Sequence, residues 1–284
     1  MRILRASMTS QHHQPSRVTR PSALPQRWDW LFRKFTKYIQ RYLRKHFHAV
    51  RLSRTSFPVP TDGSPILVVL NHPSWWDPLL CVSLLPLFPG YTHYAAIEAE
   101  AVRKYRVFTR LGFFPVDTKS LQGAAEFLRI GEAILSAPKR AVWVTAQGDF
   151  ADVRKRPLDL KRGVGHLAAR LSAGWVVPVA LEYSFWNERT PEALIRIGEA
   201  IRIEPSAGAR AGRVWAERIE VALATTLDGL NMETQSRDPA RFRELIGGST
   251  GAGGMYDGWR RFTAWIRGRR FDPSHGGPNP ENPA

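Results

Sequence analysis

Two side chains able to move a proton stand five positions apart in "LNHPSWWDPLL", residues Leu70 to Leu80: His72 and Asp77. An imidazole oriented by a carboxylate is the general-base half of a catalytic triad, and it accepts a proton near neutral pH. The same spacing has a plainer reading. Pro78 suits the first position of a helix with Asp77 as its N-cap, which leaves His72 as an ordinary turn histidine. A nucleophile for a covalent enzyme intermediate is not evident. There is no Gly-x-Ser-x-Gly elbow, and Cys81, the single cysteine, sits in an apolar run that reads as core. A base at His72 would therefore act directly on a substrate hydroxyl.

Two further polar segments follow apolar runs in the same way. "FFPV" (Phe113 to Val116) leads into Asp117, Thr118 and Lys119, and "AVWVTA" (Ala141 to Ala146) leads into Gln147, Gly148, Asp149 and Phe150. In α/β sheets, ligands gather at the carboxyl ends of strands, so these segments and His72 could converge. Downstream, "VRKRPLDLKRG" reads either as a solvated charged loop or as a grip for phosphates or an acidic partner. Within it Lys161 and Arg162, at a helix start, are the stronger anion-binding candidates. Trp75 and Trp76 read as structural, one in the core and one lining an apolar channel or membrane face. His93, His166, His12 and His13 have no companions at catalytic spacing.

The elements that must position these residues follow from patterning. "PILVVLN", from Pro65, is a continuous apolar strand of the kind buried on both faces. A helix follows from about Pro78. "HYAAIE" (93–98), "FFPV", "AVWVTA", "WVVPVALEYSF" (175–185) and "ALIRIGEAIRI" (193–203) read as strands. Between and after them, "AVRKYRVFTRLG", "LQGAAEFLRIGEAILSA", "GVGHLAARLSA" and "AGRVWAERIEVALATTLDGL" read as helices. The alternation implies an α/β fold, a layered and largely parallel sheet flanked by helices.

A basic amphipathic helix precedes the sheet. Trp28, Leu31, Phe32, Phe35, Ile39, Tyr42, Leu43 and His46 share one side, and Arg33, Lys34, Lys37, Arg41, Arg44 and Lys45 fill much of the rest. It suits either a surface helix packed on the domain or an interfacial one with its cations on anionic lipid. With 41 Lys and Arg against 25 Asp and Glu, the formal charge of +16 fits an anionic partner. No nucleic-acid motif appears and the cations concentrate at the N-terminus, so a membrane surface is expected and nucleic acid is not. No run is long enough for a membrane span, and one cysteine fits a reducing compartment, so the expected location is the cytoplasmic face of a membrane. The first 26 residues lack acidic side chains and read as a disordered tail or an organellar targeting segment.

Four blocks then fall into a known order. "NHPSWWD" resembles the N-H-x4-D motif of the glycerolipid acyltransferases, the glycerol-phosphate and lysophosphatidic acid acyltransferase type. "GFFPVD", "VTAQGDF…LKRGVGHLA" and "VVPVALEY" resemble the second, third and fourth blocks of that family. The resemblance spans roughly Pro65 to Ile203. It implies transfer of a fatty acyl group from acyl-CoA or acyl carrier protein, a co-substrate rather than a cofactor, to a lipid hydroxyl. It implies catalytic roles for His72 and Asp77, and substrate-binding roles for Asp117, Lys119, Gln147, Gly148, Lys161 and Arg162. A lysophospholipid such as 1-acylglycerol-3-phosphate is the expected acceptor. The chain departs from the family where phosphate-gripping arginines usually stand: Thr118 follows Asp117, and Gln147-Gly148-Asp149-Phe150 replaces Glu-Gly-Thr-Arg. A non-phosphate acceptor such as a glycolipid or terpenoid glycoside is the alternative, as is a non-catalytic basic lipid- or nucleic-acid-binding protein. The implied organisation is a tail over 1–26, an interface helix over 27–50, an acyltransferase domain over 51–235 and a helical extension with polar tail over 236–284.

Overall fold

The computed structural model describes residues 24–205, 208 and 210–248. The tail histidines His12 and His13 and the terminal segment 249–284 lie outside the described residues.

The strands are β1 (Ala49–Ser53), β2 (Ile66–Leu70), β3 (Thr92–Glu98), β4 (Phe113–Val116), β5 (Arg140–Thr145), β6 (Gly174–Ser184), β7 (Glu192–Ile197), β8 (Ile201–Ile203) and β9 (Phe242–Gly247). They form one sheet in the order β4-β3-β5-β2-β6-β7-β1-β9, with β8 also on β6. From β4 to β6 every neighbour is parallel. At β7 the direction reverses; β7 and β1 are parallel to each other, and β9 closes the edge antiparallel to β1. The expectation of an α/β fold with a largely parallel sheet holds; β7, β1 and β9 make the sheet mixed at one side.

Alternation along the central strands builds two cores. Leu67, Val69, Val142, Val144, Val176 and Ala180 face α5 (Leu121–Leu135), α6 (Gly163–Arg170) and α7 (Ala211–Gln235). Ile66, Val68, Leu70, Ala141, Trp143, Val177, Val179 and Leu181 face the opposite layer. That layer holds α1 (Asp29–His46), α2 (Asp77–Cys81) and a 3-10 turn, Val82–Leu87. Each residue flips face relative to the last, so both sides of these strands must be apolar, which is why they read as unbroken hydrophobic runs. Pro178 interrupts a central strand without breaking a ladder. Its carbonyl, and so its missing N–H, faces the edge where β6 changes partner from β8 (Gly174–Val176) to β7 (Val179–Ser184).

Four expectations need correction. The strand expected over 193–203 is two strands, because Gly198 turns the chain where Pro178 and Thr226 crowd it; a Cβ there would stand 2.0 Å from the Thr226 hydroxyl. The helix expected over "AVRKYRVFTRLG" is two short pieces, α3 (Ala99–Lys104) and α4 (Val107–Arg110). The helical extension expected over 236–284 holds, in its described part, a 3-10 turn (Pro239–Arg241) and β9. Strand β1 was not expected. Arg51 breaks its apolar pattern, yet it is buried as the ion partner of Glu192 at 2.9 Å.

α1 forms close to where expected, and its stripe packs inward except at Trp28. Ile39 and Leu43 are buried, while Trp28, Trp30 and Tyr38 stay exposed beside the cations. Among the described residues no helix is long and apolar enough to cross a membrane.

Candidate functional site

His72 leaves the sheet just past the end of β2, and Asn71 fixes how it leaves. The buried Asn71 amide donates to the Leu181 carbonyl at 2.9 Å and accepts from the Leu181 amide at 2.8 Å. It thereby continues the β2–β6 ladder with a side chain. On the other flank the Gln147 carbonyl oxygen accepts the His72 amide at 2.8 Å, and the Ala151 amide donates to the His72 carbonyl at 2.9 Å. The segment is thus held on both sides, Asn71 by β6 and the His72 backbone by the loop after β5.

The turn then brings Asp77 back onto the ring. His72 Nδ1 and Asp77 Oδ2 are 2.6 Å apart. A carboxylate at that distance accepts a hydrogen bond from Nδ1–H, so the neutral ring carries its hydrogen there and presents a bare Nε2. Among the described residues Nε2 meets no hydrogen-bond partner, and the His72 side chain is 17% exposed against 0% for Asp77. The expected N-cap is not formed. Asp77 is the first helical residue, and its carboxylate accepts instead from the Ser74 amide at 3.2 Å and from the Tyr183 hydroxyl at 2.7 Å.

Residues 35–182 match the family model described as Acyltransferase, more than half of the chain. The chain is a member of the acyltransferase family. The fold is similar to that of a 1-acyl-sn-glycerophosphate (LPA) acyltransferase, PlsC, from Thermotoga maritima. The TM-score is 0.50 at 15% identity, covering 72% of this chain and 80% of that one. A search of curated proteins gives no match. The family resemblance carried by the four sequence blocks is borne out, as is the enzyme class.

In this acyltransferase the electrostatics of the pair are set by burial. Desolvation holds the Asp77 carboxyl above its ordinary range, against the lowering effect of its bonds from His72, Tyr183 and Ser74. Burial, then the Asp77 charge, push the Tyr183 phenol well up, so it remains a donor. Burial also drives the Cys81 thiol upward, which makes it a poor nucleophile.

The other expected residues divide between near and far. Gln147 is buried, bridging the His72 amide and, through its own NH2, the Leu158 carbonyl at 3.1 Å. Gly148 adopts φ +72°, and a Cβ there would stand 2.8 Å from the Lys161 side chain folded over it. Its amide donates to Thr145 at 3.2 Å and is not a free donor; the amides of Asp149 and Phe150 have no acceptor among the described residues. Lys161 is tied down twice, by its amide to the Ala146 carbonyl at 2.8 Å and by its ammonium to Asp149 at 3.3 Å. Arg162 precedes the first residue of α6. Asp117 and Lys119 follow β4, three strands from β2, or roughly 14 Å along the same edge. There Asp117 accepts from the Lys119 amide and the Ser120 hydroxyl and organises the start of α5, which Ser120 caps.

Two neighbours of the site were not foreseen in these roles. The Phe150 ring lies 4.5 Å from the His72 ring and is 63% exposed. Tyr183 reaches Asp77 across 106 positions of sequence. Of the remaining expectations, Trp76 packs on Tyr42, His46 and Phe47 while Trp75 stacks on it from the exposed side. His93 is a buried acceptor for the Trp143 indole at 3.1 Å, its ring pushed down to about 3 by desolvation. A cavity of about 470 Å³, lined by Leu52, Phe57, Val59 and Ile197, opens at the carboxyl ends of β1 and β7. Those ends point away from the edge that carries His72, because β7 runs against β6.

Proposed function

We propose that this enzyme transfers a fatty acyl group from an acyl thioester, on coenzyme A or acyl carrier protein, to the hydroxyl of a lipid acceptor. The observation that carries the reading is the 2.6 Å contact between His72 Nδ1 and a fully buried Asp77, with Nε2 unpartnered among the described residues. Nε2 takes the acceptor's hydroxyl proton as its oxygen attacks the thioester carbonyl. The resulting tetrahedral carbon expels the thiolate as the C–S bond breaks, and the imidazolium returns the proton to sulfur. Ester and thiol leave, and no covalent enzyme intermediate forms. Asp77 holds the tautomer and offsets the imidazolium charge. The amides of Asp149 and Phe150, without an acceptor among the described residues, are loop donors available to the oxyanion.

The acceptor reaches the site from a membrane surface. Exposed Trp30 and Tyr38 on α1, with Trp28 just before it, interleaved with Arg33, Lys34, Lys37 and Arg41, suit an anionic bilayer on the cytoplasmic face. Family and fold support a lysophospholipid acceptor such as 1-acylglycerol-3-phosphate. A second reading, a neutral acceptor such as a glycolipid, draws on Phe150 standing over His72 and on cations already paired: Lys161 with Asp149, Arg154 with Asp152, and Lys155 with Asp159. Thiol release from acyl-CoA, measured across a panel of lysophospholipids and glycolipids on anionic vesicles, tests both. Acceptor-dependent release with one member of the panel is expected. Release with none, from either thioester donor, contradicts the reading.

A further inference from the structure

We infer that Tyr183 is a positioning residue for the acyl transfer, holding Asp77 in the orientation that keeps His72 aimed at the acceptor. The inference rests on His72 acting as the base.

The argument begins with the donors that reach Asp77. Oδ2 receives His72 Nδ1 at 2.6 Å and the Ser74 amide at 3.2 Å. Oδ1 receives the Tyr183 hydroxyl at 2.7 Å and, among the described residues, nothing else. The carboxyl is completely buried, so water cannot replace that donor. Without Tyr183 one oxygen is left unsatisfied, and the carboxylate is anchored through Oδ2 alone. The plane of the carboxylate is thus defined by two anchors, the turn on one side and β6 on the other.

β6 is suited to this work because it also anchors Asn71. Leu181 is clamped by the Asn71 side chain, and Tyr183, two residues on, points to the same face of the sheet. One rigid strand therefore fixes both the start and the end of the segment that carries His72. The Tyr183 ring is held by Phe47 at 5.8 Å, and its backbone pairs with Ala193 of β7. Among the described residues three titratable groups face Asp77: His72 from the turn, Tyr183 from β6 and Cys81 from α2.

The hydroxyl also favours the charged form of Asp77. Removing it favours the protonated carboxyl, so the acid side of the pH–rate profile must move to higher pH. A role in packing alone would not move it.

The test is Tyr183→Phe, assayed for thiol release against pH. A hydrogen bond to a charged group lost from a buried site corresponds to about a tenfold drop in kcat, and to an acid limb displaced upward by about one pH unit. KM for thioester and acceptor is expected to stay unchanged. Phe47→Leu, which loosens the ring's packing but keeps the hydroxyl, is expected to leave the acid limb in place. Incorporation of 3,5-difluorotyrosine at position 183 preserves the ring and strengthens the donor, and so moves the limb to lower pH. It carries the test alone if Tyr183→Phe does not fold. An unmoved acid limb in both Tyr183 variants overturns the inference. If Asp77→Asn is inactive while Tyr183→Phe matches wild type, only this inference fails. If Asp77→Asn is itself fully active, the His72 reading fails first.

Discussion

Two aspartates at the same sheet edge make an instructive pair. Asp117 and Asp77 each follow a parallel strand, each accept a backbone amide within three residues, and each stand at or near the start of a helix. Asp117 draws all its donors from the next three residues and is exposed; its bonds from Ser120 and Lys119 hold its carboxyl below the usual range. Asp77 adds a ring from His72 and a phenol from a distant strand, and burial lifts its carboxyl above that range. Local turn chemistry is common to both. What separates them is desolvation combined with a long-range donor, and that combination is what an orienting carboxylate requires.

The largest effect is expected from His72→Ala, with turnover falling by roughly three to four powers of ten and the thermal midpoint little changed. Asp77→Asn follows, with a loss of roughly two to three powers of ten in kcat from the wrong tautomer. This variant also carries a stability signature. A carboxyl raised in the folded state binds its proton more tightly there than in the unfolded chain, where it titrates near about 4. Wild type therefore loses stability as pH rises from that value through the folded pKa, and Asp77→Asn does not. Thermal melts of the two proteins across that window should diverge in favour of Asn with rising pH; parallel curves would break the contrast with Asp117. Asn71→Ala strands the buried amide and carbonyl of Leu181 and should cost roughly 2–4 kcal/mol in urea unfolding, with activity lost in proportion to the disturbed turn. Asp117→Asn should change turnover by no more than about a factor of two. A large loss there, with the midpoint unchanged, would return Asp117 to the substrate site and erase the distinction.

The legibility of the sequence follows the same division. β2, β5 and β6 were readable because burial on both faces demands continuous apolar runs, and "NHPSWWD" was readable because its parts are adjacent. β1 was not, since Arg51 is buried against Glu192, 141 positions away, and Glu244 on β9. The split at Gly198 depends on Thr226, carried by α7. Tyr183 sat in plain view in "VVPVALEY", but nothing local marks it as a partner of Asp77. The N-cap assigned to Asp77 was the local reading of Asp-Pro, and the tertiary donors overrode it. Only the fold brings Phe150 over His72, from a position where the family pattern has arginine.

The central claim, that the bare Nε2 of His72 accepts the acceptor's proton, is tested most directly by replacing the ring and then supplying one. His72→Gly, assayed for thiol release with and without added imidazole, should be nearly inactive alone. Its rate should rise in proportion to the unprotonated imidazole present, and the same rise should be absent in His72→Gly combined with acceptor omission. Wild-type turnover by His72→Gly without imidazole would contradict the account.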